Sequence, residues 1–527
     1  MAGNIEFSSA FSIDKLLASH DKKSYMDQFY EIVLDNPSKL LNGKQFMITA
    51  DEFKLFVDKC ANILDCVDPR GGNYMIHYVC SFGYLDMLIP LIDRGVNLEC
   101  TNSNGDTPLH CACANEDIAK YLMNKGANVN CVRRGGQRPI HIACKLSSFE
   151  LVKYLVNYKA DVNCADEDGC HPIHIACDGN SLQIVKFLVN NGANLNCTTN
   201  KGKYPIHYAC KNDDDSLQLV KFLIENGADV NSADRDGEYP IHIASESDEP
   251  STKLLNYLIK AGANLNCADN SGDTPLHIAS VSKIIKILVK SGADVNCANR
   301  DGITPIYNIC KYGSLQDLKY LALNGANLNY VSVNLAQPIH FACMRNDSIQ
   351  FAKFLVENGA DVNCIDDAGN RPIHWACELE DEDASVKLVK YLLENGADVN
   401  CANSDGEYPI HNACIVGSLK LVKFLLEKGG ANLKCANNDG DTPLHYACRN
   451  DYHEVTQLVN YLAENGADLN CVNNDGWTPL HYACGEAQSL KLVEFLLDAK
   501  VDINVINSLG KLPSDLTDRI EILQLLK

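Results

Sequence analysis

Histidine and cysteine are the residues of this chain best equipped to act as base, nucleophile or metal ligand, and both recur on a fixed beat. Twelve of the fifteen histidines, His110, His207 and His411 among them, stand two residues after a proline or, once, a methionine. A neutral imidazole donates from one ring nitrogen and accepts at the other. That suits a bridge between backbone groups as well as it suits catalysis. Most of the 25 cysteines form two rows. One row follows a motif alanine, as at Cys144, Cys177 and Cys210; the other follows an asparagine, as at Cys164, Cys197 and Cys267. Members of one row should lie a full layer apart, beyond the ~7 Å Cα span of a disulfide. Small buried apolar side chains in a reducing compartment are expected. Zinc would need clustered ligand spacing, and none recurs.

Other constellations are weaker. Cys170-His171-Pro172-Ile173-His174 has the look of a ligand set, but His174 already belongs to the repeated row. Segments such as Asp166-Glu167-Asp168-Gly169 and Asp234-Arg235-Asp236-Gly237 resemble the start of a calcium loop. The bidentate glutamate at the loop's end is missing and a helix-starting proline arrives too soon. The chain carries no phosphate-cradling Gly-Lys motif, no serine elbow and no cysteine with a dedicated histidine partner. The expectation is no catalytic residue, no cofactor and no metal.

What positions the histidines is a motif, typified by Asp273-Thr274-Pro275-Leu276-His277-Ile278-Ala279 and by Thr442-Pro443-Leu444-His445-Tyr446-Ala447. Its prolines run from Pro108 to Pro513 at spacings of 30 to 37 residues, with a glycine three residues earlier in 12 of 13 copies. Proline suits the first helical position, and Thr274 can cap the first turn. A second run, Ile284 to Val289, reads as a helix with a broad apolar face that ends near Gly292. Asp294 to Asn299 follows as an extended arm, turned back at Asp301-Gly302. One such unit cannot bury its own apolar face; stacked neighbours can.

The period, the Thr-Pro-Leu-His-x-Ala motif and the Gly-Ala-Asp-Val-Asn segment resemble the ankyrin repeat, over roughly residues 67–527. The Cys-rich wording of the motif is similar to the large ankyrin arrays of unicellular eukaryotes such as trichomonads. The resemblance implies an all-α solenoid of about 14 helix-turn-helix units with hairpin-like arms. It implies that each histidine bridges backbone groups of adjacent turns. It also implies that arm asparagines such as Asn163, Asn231 and Asn363 match the position asparagine hydroxylases modify, with Leu223 eight residues before Asn231. Lys434 interrupts that row, and a hydrogen bond within the asparagine's own turn is the simpler role.

Stacking also reconciles 527 residues with the absence of one large core. With layers about 8–10 Å apart, some fourteen would give a body on the order of 110–140 Å long. Residues 1–66 lack the repeat and read as helices around Ile13–Leu17, Met26–Val33 and Phe53–Leu64, an N-terminal cap or docking segment. The array spans 67–511, and 512–527 reads as a capping repeat with a shortened, more polar end. The net charge of −22 argues against nucleic acid or an anionic membrane as target and leaves a basic protein partner open. No apolar run is long enough to span a membrane, and the first residues resemble neither a signal peptide nor a myristoylation site. A cytoplasmic protein is expected.

The partner-binding candidates are the arm tips. Where the family carries threonine before the motif proline, this chain carries Arg138, His171, Tyr204 and Tyr239 in four consecutive units, then Gln337, Arg371 and Tyr408. Giving up a threonine cap should cost about 0.5–2 kcal/mol, and Tyr, Trp and Arg are the side chains that anchor interfaces. Trp477 is the expected exposed tryptophan, and Trp375 is expected to pack in the position of a core leucine. Three units are long, and their extra residues are acidic: Asp213-Asp214-Asp215, Glu246 to Glu249, and Glu378 through Glu380, Asp381, Glu382 and Asp383. They are read as loops that either are plain solvated turns or steer a basic partner. Near 330–337, Leu335 replaces the turn glycine and Tyr330 the arm cysteine, while Tyr307 replaces the histidine one unit earlier. Leucine resists positive φ, so a differently shaped arm is expected there, as a bend or a contact site. Non-catalytic protein binding is the function expected, through the concave face and the arm tips; stoichiometric inhibition of a partner enzyme is the alternative.

Overall fold

In the computed structural model, the described residues are 71–527 apart from 212, 247–251, 346 and 450–454, with a few positions between 54 and 68. Nothing is described of the side chains of Asp213 and Asp214. The expected helices around Ile13–Leu17 and Met26–Val33 lie outside the described residues, as does most of the third. Within it Val57 is fully buried, and Asp58 accepts a hydrogen bond of 2.7 Å from the Arg94 guanidinium.

The described chain is helical throughout, with no strand among the described residues and one isolated bridge between Val67 and Tyr74. Fourteen units follow, most of them a short first helix and a longer second one. The unit led by Pro139 shows why. Pro139 starts the helix Pro139–Lys145, Ile140, Ala143 and Cys144 are fully buried on one face, and Ser148 accepts from the Leu151 N–H to open Phe149–Asn157. Leu151, Val152 and Leu155 are fully buried in that second helix. Burial of each such side chain contributes about 1.5–3 kcal/mol, and alanine in the first helix lets neighbouring helices lie close.

The chain forms two compact units, residues 1–244 with 251–263, and 264–527 with 245–250. The first contains the repeats led by Met75 to Pro240, the second those led by Pro275 to Pro513. Within each, three hydrogen-bond ladders tie layer to layer. At the arm tips each turn accepts a backbone bond from the next, as in Glu167 N–H to the Gly135 carbonyl at 3.0 Å. Here glycine is required: Gly136 has φ +75°, and a Cβ on it would stand 2.6 Å from the Glu167 nitrogen. The other two ladders run through histidine and asparagine side chains.

Two expectations about shape are corrected. The arm at 330–337 is not differently built. Leu335 itself adopts the left-handed conformation, φ +55°, and donates to the Ser332 carbonyl at 3.0 Å as the glycines do. The neighbouring turns, bonded through Val333 N–H to Asp301 and Asp367 N–H to Asn334, hold it there. The acidic insertion Glu378–Asp383 is a loop only as far as Asp381; Glu382 and Asp383 form the first turn of the second helix. Asp381 caps a second helix lengthened to 13 residues, Glu382–Glu394, accepting from Asp383 and Ala384 N–H at 2.9 and 3.0 Å. Acidic residues in a first turn favour the helix N-terminus.

Candidate functional site

The frame of the arm tips is the histidine. In the unit led by Pro409, His411 Nδ1 accepts from the backbone N–H of Tyr408 at 2.9 Å, and Nε2 donates to the Asp441 carbonyl of the next unit at 3.2 Å. The same pair recurs at His77, His110, His141, His207 and His374, for example. Both nitrogens are therefore occupied, with the tautomer fixed as Nδ1 acceptor and Nε2–H donor. Burial disfavours the charged ring and pushes His110, His174 and His411 down to about 4. This is the bridging role the resemblance implied.

The geometry revises the argument about helix caps. Thr107, Thr274 and Thr442 do not cap their helices through the side chain; the hydroxyl lies 2.8 to 3.0 Å from the histidine Nδ1. The histidine, three residues into the motif, caps instead, by accepting the backbone N–H of the preceding residue. That N–H is present whatever the side chain. Arg138, His171, Tyr204, Tyr239, Gln337, Arg371 and Tyr408 thus replace threonine without losing the cap.

All seven are half-buried. The Tyr204, Tyr239 and Tyr408 rings lie 5.6 to 5.8 Å from the motif imidazoles His207, His242 and His411. His171 lies 5.5 Å from His174 in the same way. Arg138 and Arg371 reach the next unit, pairing with Asp161 at 3.4 Å and Asp398 at 3.6 Å. Trp477 is half-buried, its ring 4.9 Å from Tyr482. Of the acidic candidates, Asp213 and Asp214 open a 3-10 turn that ends at Ser216, and Asp215 is exposed. Glu380, Asp381, Glu382 and Asp383 are exposed, and Asp383 pairs with Lys420 of the next unit.

A row the sequence reading passed over follows the histidine by one residue: Tyr208, Phe341, Trp375, Tyr446 and Tyr482. Trp375 belongs to it and not to the core leucine position, which Ile373 fills; the indole donates to Asp366 Oδ2 at 3.2 Å. In the last units this row forms a stack. The Arg449 guanidinium lies 4.9 Å from the Tyr446 ring and 4.5 Å from the Tyr482 ring, and donates to Asp441 at 2.7 Å. The signal was available, since aromatic residues recur at one register.

The arm asparagines bridge units rather than closing their own turns. Asn163 Nδ2 donates to the Gly192 carbonyl at 2.9 Å while its Oδ1 accepts from Asn194 N–H at 2.8 Å. Asn363 does the same with Gly396 and Asp398, and Asn231 donates to Gly262. The described cysteines are free thiols, most of them buried, and burial pushes Cys210 and Cys484 up to about 12. Among the described residues no three His, Cys, Asp or Glu side chains are grouped to hold a metal, and no helix is long and apolar enough to cross a membrane.

Comparison with known proteins agrees with this architecture. A family model described as ankyrin repeats in three copies matches in overlapping windows from residue 50 to residue 507, beginning with 50–133 and ending with 430–507. Among solved structures, the human ASB11 ankyrin repeat domain is similar at 26% identity, covering 42% of this chain and 99% of that one, with a TM-score of 0.39. The search of curated proteins returns no match.

Proposed function

The chain belongs to the ankyrin repeat family, whose repeats are protein-protein interaction modules, and from that premise we propose that it is a non-catalytic scaffold that holds a protein partner through its arm tips and first-helix faces. The observation that carries this reading is the division of labour within each unit. Histidine, asparagine and tip glycine fix the frame, while the residue before the motif proline varies among Arg, His, Tyr, Gln, Leu and Thr and stays half-exposed where it is not Thr. Sequence freedom at a fixed backbone position is what a repeat array needs to shape a surface for one partner. The exposed acidic residues Asp215, Glu380, Asp381 and Glu382 would favour a partner with a basic region.

Affinity capture from the native cell tests this, with the full chain against Tyr204→Ala/Tyr239→Ala, Arg138→Ala, Arg371→Ala, Tyr408→Ala and Trp477→Ala variants. Loss of a specific partner in one or more variants is expected. Equal recovery by all of them would remove the tip residues as the binding surface.

A further inference from the structure

We infer that the units led by Pro305 and Pro338 carry a docking cleft for a protein segment in which an apolar side chain is followed by carboxylates. This rests on the reading of the chain as a protein-binding scaffold and assigns one site and one partner chemistry to it.

The cleft, about 370 Å³, is lined by Lys311, Tyr312, Phe341, Met344, Arg345 and Asp347. That volume is at the lower end of the range for ligand clefts, enough for one large side chain. Phe341 and Met344 supply apolar surface. Phe341 is braced edge-on by Tyr307, ring centroids 5.3 Å apart, and Met344 is 38% exposed. Tyr312 is 73% exposed, an unusual display for a tyrosine that donates nothing to the core.

The charge of the rim decides the partner. Arg345 is held in place: it donates to both carboxylate oxygens of Asp347 at 2.7 and 3.1 Å and to the Cys310 carbonyl at 3.4 Å, and lies 4.2 Å from the Phe351 ring. Its charge is answered by Asp347. Lys311 is not answered. Its ammonium sits 4.9 Å from the Tyr312 ring centroid, and it forms no ion pair among the described residues. The cleft thus presents one net positive charge beside an apolar floor, in a chain whose net charge is −22. A basic segment would meet Lys311 and Arg345. An acidic one meets a free ammonium, while its apolar neighbour covers Phe341 and Met344.

The same two units are those in which the repeat breaks its own pattern. Tyr307 stands for histidine, and its hydroxyl lies 2.6 and 2.8 Å from the Tyr330 and Ala336 carbonyls of the next arm. That arm exposes Val333 and Leu335 at 68% and 47%, where other arms carry a polar residue such as Asn, Arg or Ser and a glycine; Val331, 47% exposed, stands where other arms carry Ala, Thr, Val or Ile. Tyr307 keeps the link between layers and meets Phe341 edge-on, as His174 meets Tyr208 and His445 meets Tyr482 in other units.

The test uses the full chain labelled with ¹³C at its methionine methyls, Met344 being assigned by the loss of its signal in Met344→Leu. The probes are acetyl-Gly-Phe-Glu-Glu-Gly-amide, its Lys-Lys counterpart, and an Ala-for-Phe version of the first. The first peptide is expected to shift the Met344 signal saturably, and the other two to bind at least tenfold more weakly. Lys311→Glu, at an exposed position without an ion pair, should weaken the first peptide fivefold or more and favour the Lys-Lys one. An unmoved Met344 signal, equal shifts from the acidic and basic peptides, or an unchanged affinity in Lys311→Glu each overturns the assignment. Capture of a cellular partner equally by Lys311→Glu and the unaltered chain, with the peptides silent, overturns this cleft and leaves the scaffold reading standing.

Discussion

At the scale of single residues, the motif histidine is the part that does most with least. His411→Ala would leave the Tyr408 N–H without its acceptor and take one of two donors from the Asp441 carbonyl, which still accepts from Asn437 N–H at 2.9 Å. An unpaired group costs about 1–3 kcal/mol, and urea unfolding should show a loss of that order. Tyr408→Thr keeps both bonds and should change stability by no more than about 0.5 kcal/mol. Leu335→Gly is expected to stabilise the chain by about 1 kcal/mol, because a leucine at φ +55° carries strain that glycine does not. An unchanged urea midpoint in Leu335→Gly would mean that packing already repays the strain.

These residues also mark the limit of what could be read without coordinates. The period and the burial of both cysteine rows were legible, because each follows from residue type and register; the bridging role of the histidines was legible through the resemblance to the ankyrin repeat. The cap at Thr274 was misassigned, since threonine and histidine can both serve a helix N-terminus and only geometry tells which does; at Thr478 the hydroxyl does accept the His481 N–H, at 3.3 Å. Leu335 was misjudged because its own preference was visible and the grip of the two adjoining turns was not. Trp375 was placed by analogy with leucine, but its register, one after the histidine, holds half-buried Tyr208 and Phe341 as well as buried Tyr446 and Tyr482.

At the scale of elements, the helix Glu382–Glu394 owes its extra turn to one residue. Asp381→Ala removes a cap that accepts two backbone N–H groups and should lower stability by about 1 kcal/mol, with helix content by circular dichroism reduced at the margin of the transition. Lys434 is the complementary case. It stands where Asn400 bridges to the Gly430 carbonyl and to Asn432 N–H, and it can supply no such acceptor. Lys434→Asn should add a bond to the following arm and stabilise by about 1 kcal/mol. A destabilised or unchanged variant would show that the asparagine ladder contributes nothing at that joint.

At the scale of the whole molecule, the histidines act in sum. Their pKa values are lowered in the folded state, so the unfolded chain binds more protons between about pH 6.5 and the value of about 4 reached by His110, His174 and His411. Stability is therefore fully present above the unfolded value and is lost as pH falls through that window. Thermal melts from pH 7.5 down to 4.5 should fall steadily, and a flat profile would contradict neutral, doubly bonded rings. The thiols give an independent readout. Of the described cysteines only Cys111, Cys170, Cys297 and Cys471 are half-buried, and these should react first with a thiol reagent, the rest only on unfolding.

Each imidazole faces one way: it takes a bond from its own layer and, in most copies, gives one to the layer that follows. In the unit led by Pro513, Asp515 keeps the first half, accepting from Leu512 N–H at 3.0 Å, and has no proton to pass on. A connection that recurs in one direction through most units makes those units nearly interchangeable in number. Copying or excising one such period inside either compact body would recreate most of the joints it disturbs, so the count of layers can drift over generations while the rules of assembly stay put.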